Sequence, residues 1–261
     1  MPVKTRSLKA VDPQPVRARV SRQEWDTRLN LAAAYHLAAH FKWTDLIYTH
    51  FSARVPGKDE HFLINPYGLM FDEITASNLV KIDHQGKVID DPTGLGYNEA
   101  GFVIHGAVHQ ARPEIQCVLH THTRAGIAVS AMKCGLLPIS QHTLRVYADV
   151  SYHDYEGIAL ELDERARLVR DLGRSRTMIL RNHGLLALGD TVRDAFDRMY
   201  YLELACRIQV DALAGGEVHL LSADVVNKVR QQFERSDRRS QHKDWPALLR
   251  LLDRKGSSYR D

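Results

Sequence analysis

The stretch "PEIQCVLHTHTRAG", residues 113 to 126, runs from apolar residues into two imidazoles, His120 and His122. In an extended strand the side chains of residues i and i+2 leave the same face. The two rings therefore project together from the strand's end. Paired neutral imidazoles suit a borderline-soft divalent metal, which takes nitrogen at roughly 2.0–2.1 Å. The same pair would also serve as one helix cap and one solvent-facing ring. A third donor must come from elsewhere, and His183 in "TMILRNHGLLALG" is the best placed. It too follows an apolar run, in a turn whose Gly184 permits close backbone approach. Alone it is a turn residue; with the other two it makes three histidines at strand termini.

A carboxylate accompanies them. Glu99 opens the segment "NEAGFVIHGAVHQAR", where the helix dipole favours a negative charge. Charge compensation is its plainest role. The chemical role is a base beside a Lewis acid, since three protein ligands leave a coordination position open. His105 and His109 in the same segment are i, i+4 neighbours and could chelate by themselves, with packing as the default.

These residues need elements to hold them. Ser21 and Glu24 predict a capping box ahead of one long helix through "EWDTRLNLAAAYHLAAHF", whose apolar positions recur at helical spacing. Two hairpins follow, one around "PGKDE" and one turning at "HQG". The Glu99 segment is a helix that stops before Pro113. Beyond the HxH strand come a short helix near "RAGIAVSAM" and a strand-rich segment from Pro138 to about Leu162. "DERARLVRDLG" is a helix closed by Gly173, and the His183 segment is strand, tight turn, strand. A long amphipathic helix then ends at Gly215-Gly216, and the basic tail is helical, with a solvated or interface face.

Residues 1–20 are basic and aperiodic and predict a flexible arm; residues 21–220 form one α/β domain, and 221–261 a helical basic extension. With 44% hydrophobic and 26% charged residues in 261, the composition is that of a globular protein. A net charge of +3, with acids and bases interspersed, argues against nucleic acid. No run reaches the length of a membrane span and no signal-peptide core opens the chain. Cys117, Cys134 and Cys206 are scattered in apolar contexts and predict reduced core residues of a cytoplasmic protein.

From about residue 22 to about 215 the chain resembles the class II aldolase/adducin family. "HTH" after an apolar strand, preceded by "ARPE" and joined by a distant "LRNHG", is that family's metal signature. The likeness to the adducin-like branch runs through "EHFLINPYGLMFDEITASNLVKID", "AGFVIHGAVHQARPEIQCVLHTHT", "SAMKCGLLPIS" and "SYHDYEGI". The resemblance implies a three-layer α/β/α sandwich with a central, mostly antiparallel sheet. It implies a divalent metal, usually zinc, with iron(II) or manganese as alternatives, on His120, His122 and His183. It also implies a small-molecule substrate and a homotetramer with interfacial active sites.

Further roles follow from that likeness alone. Glu99 matches the glutamate that shuttles the proton in the sugar-phosphate aldolases, a position without a carboxylate in adducin. Where those aldolases bind phosphate with small residues, this sequence has Thr49-His50, Tyr67-Gly68 and Tyr97-Asn98. An aromatic or carboxylate-bearing substrate is implied instead, with packing as the other use of the tyrosines. The tyrosine that some aldolases supply from a neighbouring subunit maps to His142, a residue able to donate a proton at neutral pH. The implied activity is a zinc-type lyase that makes or breaks a C–C bond of a hydroxy-carbonyl substrate through a metal-bound enediolate. The resemblance also admits a non-haem iron(II) oxygenase or decarboxylase of aromatic keto or hydroxy acids, and an adducin-like scaffold without catalysis.

Overall fold

The computed structural model describes residues 14–57, 59–157, 162–237 and 243–261. Its elements, in chain order, begin with α1 (Val16–Arg19), α2 (Arg22–His40), β1 (His50–Arg54), β2 (His61–Ile64), β3 (Val80–Asp83) and β4 (Val88–Asp90). They continue with α3 (Glu99–Ala111), β5 (Cys117–Thr121), α4 (Arg124–Ser130), β6 (Val150–His153), α5 (Leu162–Leu172), β7 (Thr177–Leu180) and β8 (Gly184–Gly189). Three helices close the chain: α6 (Val192–Ala214), α7 (Ala223–Asp237) and α8 (Asp244–Arg254).

The strands form one sheet in the order β4-β3-β2-β1-β5-β8-β7-β6. Among the described residues only β6 and β7 pair in parallel; the other pairings are antiparallel. Alternation along the strands divides the core. Cys117 and Leu119 of β5 pack with Leu185 and Ala187 of β8 against α2, α4 and α6. Val118, Leu186 and Leu188 face the other way, towards Ile104 and Val108 of α3 and Leu168 and Leu172 of α5. This is the expected α/β/α sandwich with its mostly antiparallel sheet. Each fully buried aliphatic or aromatic side chain contributes about 1.5–3 kcal/mol to holding the layers.

Both predicted hairpins are present, β1–β2 and β3–β4. The capping box is half formed. Ser21 accepts from the Glu24 N–H, but the Glu24 carboxylate turns inward to Arg28 and Lys81. The buried Arg28 guanidinium claims that carboxylate because an unpaired cation in the core would cost far more than a lost cap. The segment after Pro138 is not strand-rich. It forms two 3-10 turns, at Thr143–Arg145 and Tyr147–Asp149, and the short β6. Cys134 is exposed in the turn after α4, whereas Cys117 and Cys206 are buried as expected; all three are free thiols.

Residues 1–13 of the expected arm lie outside the described residues, while Val16 in α1 is buried with Trp25 and Ala76. The tail is helical, and α8 buries Trp245 and Leu252, with Trp245 Nε1 donating to Asn30 Oδ1 of α2 at 2.8 Å. Among the described residues no helix is long and apolar enough to cross a membrane.

Between the sheet and α3 lies a polar layer. Ser52 Oγ sits 2.7 Å from His105 Nδ1 and 2.8 Å from His109 Nε2, both rings being buried. The i, i+4 pair thus packs around one hydroxyl instead of facing a shared ligand. Burial, then the nearby Arg54 charge, pushes His109 down to about 3. Unfolded, the same imidazole titrates near 6.5. Between those values the unfolded chain holds the extra proton, so this contribution is complete above about pH 6.5 and is lost as pH falls. Replacing His109 by Gln should therefore flatten the acid limb. The stability lost between pH 7 and pH 5, read from urea midpoints, should shrink by roughly 2 kcal/mol. Equal losses in both proteins would contradict this account of the layer.

Candidate metal centre

The HxH pair leaves β5 on the face shared with α3. His120 is the fourth residue of the strand and pairs with Leu186 of β8 on one side and His50 of β1 on the other. His122 follows just past the strand end. Because β8 runs antiparallel to β5, its first residue, Gly184, lies beside that end, and the turn before it delivers His183. Asn182 holds the turn at φ 57, a left-handed conformation that Asn tolerates better than most residues. The three rings converge: their centroids are 4.7, 4.8 and 4.8 Å apart, and one nitrogen from each lies within 4.8 Å of the others.

Hydrogen bonds fix how two of the rings face. His120 Nδ1 lies 3.0 Å from the Leu185 carbonyl oxygen, and His122 Nδ1 lies 2.9 Å from Asp45 Oδ2. Both partners are acceptors, so each Nδ1 must donate, and in the neutral form of the ring Nε2 then carries a lone pair. Those two Nε2 atoms stand 2.9 Å apart. Facing lone pairs repel unless a proton or a cation lies between them. Ligands on one tetrahedral zinc stand roughly 3.3 Å apart, so a small opening of the pair would admit the ion. Burial first, and the neighbouring imidazoles second, hold His120 well below its usual range and push His183 down to about 4. Both rings are thus neutral, the form that binds metal.

The expected substrate residues gather near the start of α3. His50 is buried, its ring 5.5 Å from that of His120 and 4.4 Å from that of His105. It lies so close under Gly101 that a Cβ there would come within 2.2 Å of the imidazole. Burial pushes His50 down to about 3. Thr49 is held at φ 70 with a buried hydroxyl that lacks a hydrogen-bond partner, a conformation costing of order 1–3 kcal/mol. The Tyr67 N–H donates to Gly96 O at 3.0 Å, tying the Tyr67-Gly68 turn to the loop that enters α3. Asn98 stands at the N-cap, and Glu99 is exposed as the first helical residue, two before Gly101.

Tyr97 and His142 go elsewhere. The Tyr97 hydroxyl donates to Gly86 O at 2.6 Å and its ring packs on Phe102, the packing use of that tyrosine. His142 is exposed and stacks on Tyr201 of α6, 6.3 Å between centroids, rather than on the three histidines.

Two contributors escaped the sequence reading. Asp45 orients His122 across 77 residues of chain, and no local pattern links the two. Thr123, next after His122, caps α4 by accepting from Gly126 and donates its hydroxyl to Glu203, whose carboxyl burial pushes up to about 7. Gly184 is more than a turn residue, since a Cβ there would meet Thr121 O at 2.4 Å and His122 Cδ2 at 3.1 Å. Changing Gly184 to Ala should wedge β8 from β5 and displace His183, weakening zinc binding at least tenfold in a chelator competition while far-UV circular dichroism stays native. Undiminished affinity would show that the close approach does not position the ring.

Comparison with known proteins places this arrangement. The sequence profile described as "Class II Aldolase and Adducin N-terminal domain" matches residues 29–210. A crystal structure of an aldolase II superfamily protein from Pseudomonas syringae superposes with a TM-score of 0.90 at 57% identity, covering 95% of this chain and 100% of that one. An L-fuculose 1-phosphate aldolase from Glaciozyma antarctica PI12 gives a TM-score of 0.81 at 27% identity, covering 96% and 97%. Alpha-adducin of Mus musculus is 50% identical over 201 residues, 76% of this chain but 27% of the adducin. The chain belongs to the class II aldolase and adducin N-terminal domain family.

Proposed function

We propose that this protein is a metal-dependent lyase of the aldolase kind, making or breaking the C–C bond between the α carbon and the carbinol carbon of a hydroxy-carbonyl substrate. The observation that carries the reading is the pair of Nε2 atoms of His120 and His122, 2.9 Å apart and both turned inward by acceptors on Nδ1. With His183 they would hold one divalent cation, zinc by preference. Bound there, the cation supplies Lewis-acid polarisation of a substrate oxygen.

The remaining work falls to the chain's own groups. Asp45 and the Leu185 carbonyl keep two imidazoles in the tautomer that presents Nε2. Glu99 sits in the first turn of α3, where the helix dipole favours its carboxylate. It would take and return the proton at the carbon beside the carbonyl. Thr49 and His50 would bound the substrate on the α3 side, with Tyr67, Gly68 and Asn98 at the entrance. His142, exposed ahead of the Thr143–Arg145 turn and stacked on Tyr201 of α6, would serve a neighbouring copy's cluster, as in a cytoplasmic homotetramer with sites between subunits.

The likeness to alpha-adducin supports a second reading, an oligomeric scaffold without turnover. Elemental analysis of protein purified without oxygen, followed by aldol cleavage assays on hydroxy-carbonyl compounds, separates the two. The lyase reading expects about one zinc per chain. It also expects turnover that falls 10²-fold or more in Glu99→Gln with the metal retained, the usual contribution of a positioned base. Metal-free, inactive protein that assembles normally would favour the scaffold. Iron with oxygen uptake on aryl keto acids would favour oxygenase chemistry.

A further inference from the structure

Large apolar side chains left in water are unremarkable singly, but grouped around a site they mark what binds there. One of them touches a ring of the histidine cluster, and two more lie in the turn whose Asp45 holds another. Tyr155 is 54% exposed, with its ring 6.2 Å from that of His183. Leu46 is 64% and Tyr48 46% exposed, in the turn that presents Asp45 to His122. That turn is closed by the Tyr48 N–H donating to Asp45 O at 2.9 Å, and it holds Leu46 at φ 49. A bulky residue at positive φ is uncommon, and here the conformation keeps the side chain outward.

Tyr155 is likewise held. The loop after β6 is tied to α5 at two points. His153 Nδ1 lies 2.8 Å from Asp171 Oδ2, and Arg167 Nε donates to both oxygens of Glu156 at 2.8 and 2.9 Å. Between these ties only Asp154 and Tyr155 are left to project, and both are exposed. A small, partly polar cleft lies between this loop and His183, with Ile104, Leu180 and Arg181 in its wall. Within the cluster the His122 side chain is 23% exposed while His120 is buried.

We propose that Tyr155, Leu46 and Tyr48 receive an aromatic group of the substrate, whose oxygen-bearing end meets the three histidines. The substrate class is then a hydroxy-carbonyl compound with an aryl substituent. This rests on the lyase reading of the cluster. Tyr155 sets specificity, through the face or edge of its ring, and its hydroxyl is dispensable.

The test uses the full chain loaded with Co(II), titrated with acetohydroxamate and benzohydroxamate while the visible ligand-field bands are followed. These bidentate oxygen chelators differ only in methyl against phenyl, and each affinity is taken relative to that for free Co(II). Benzohydroxamate should bind roughly fivefold more tightly, the size of one aromatic contact. Tyr155→Phe should keep that preference, and Tyr155→Ala should abolish it without altering acetohydroxamate binding. Equal affinities in the unmodified protein, or a preference that survives Tyr155→Ala, would overturn the proposal and leave the lyase reading intact. So would Tyr155→Ala shifting the oligomeric state in sedimentation with an unchanged preference, since the rim would then be a contact between copies. Failure of Co(II) to bind, or of either hydroxamate to perturb its bands, would strike the lyase reading itself and this inference with it.

Discussion

The pairing of β5 with β8 is the constraint from which the rest follows. Antiparallel register sets Thr121 opposite Leu185 and His120 opposite Leu186, so the end of one strand and the start of the other coincide. Two segments some sixty residues apart thereby share one corner of the sheet. Gly184 lets the backbones close there, because nothing larger than hydrogen fits against the Thr121 carbonyl. Slip that register by one residue and His120 would turn to the α2 face, among aliphatic side chains.

Around the corner, polarity is arranged to keep imidazoles neutral and aimed. His120 is sealed by burial on the α3 side, and His122 is held from outside by Asp45. Behind them His50, His105 and His109 continue a buried run of rings into the α3 layer, with Ser52 between the last two. Burial disfavours the charged form of each. A polar interior of this kind costs stability compared with aliphatic packing, and it ties α3 to β1 through Ser52.

Much of this was legible in the chain. The three histidines each end a strongly apolar run, and that pattern alone put them at strand tips. The hairpins and the Glu99 helix were marked by period and by Gly and Pro punctuation. What was hidden depended on distant partners. Asp45 has no local relation to His122, the Tyr97 hydroxyl is taken by Gly86 across a turn, and Glu24 prefers Arg28 to its own helix end. The segment after Pro138 is expected to be strand-rich, yet Thr143 and Leu144 are buried within a 3-10 turn against α6, where packing overrides β-propensity.

Family membership joins this chain to sugar-phosphate aldolases and to adducin alike, so the histidine corner must be judged on its own chemistry. X-ray absorption at the zinc edge of the loaded protein measures it most directly. Convergence of His120, His122 and His183 predicts three imidazole nitrogens at roughly 2.0–2.1 Å, with multiple-scattering features from the rings. A shell of water oxygens alone, or one imidazole in place of three, would contradict the account.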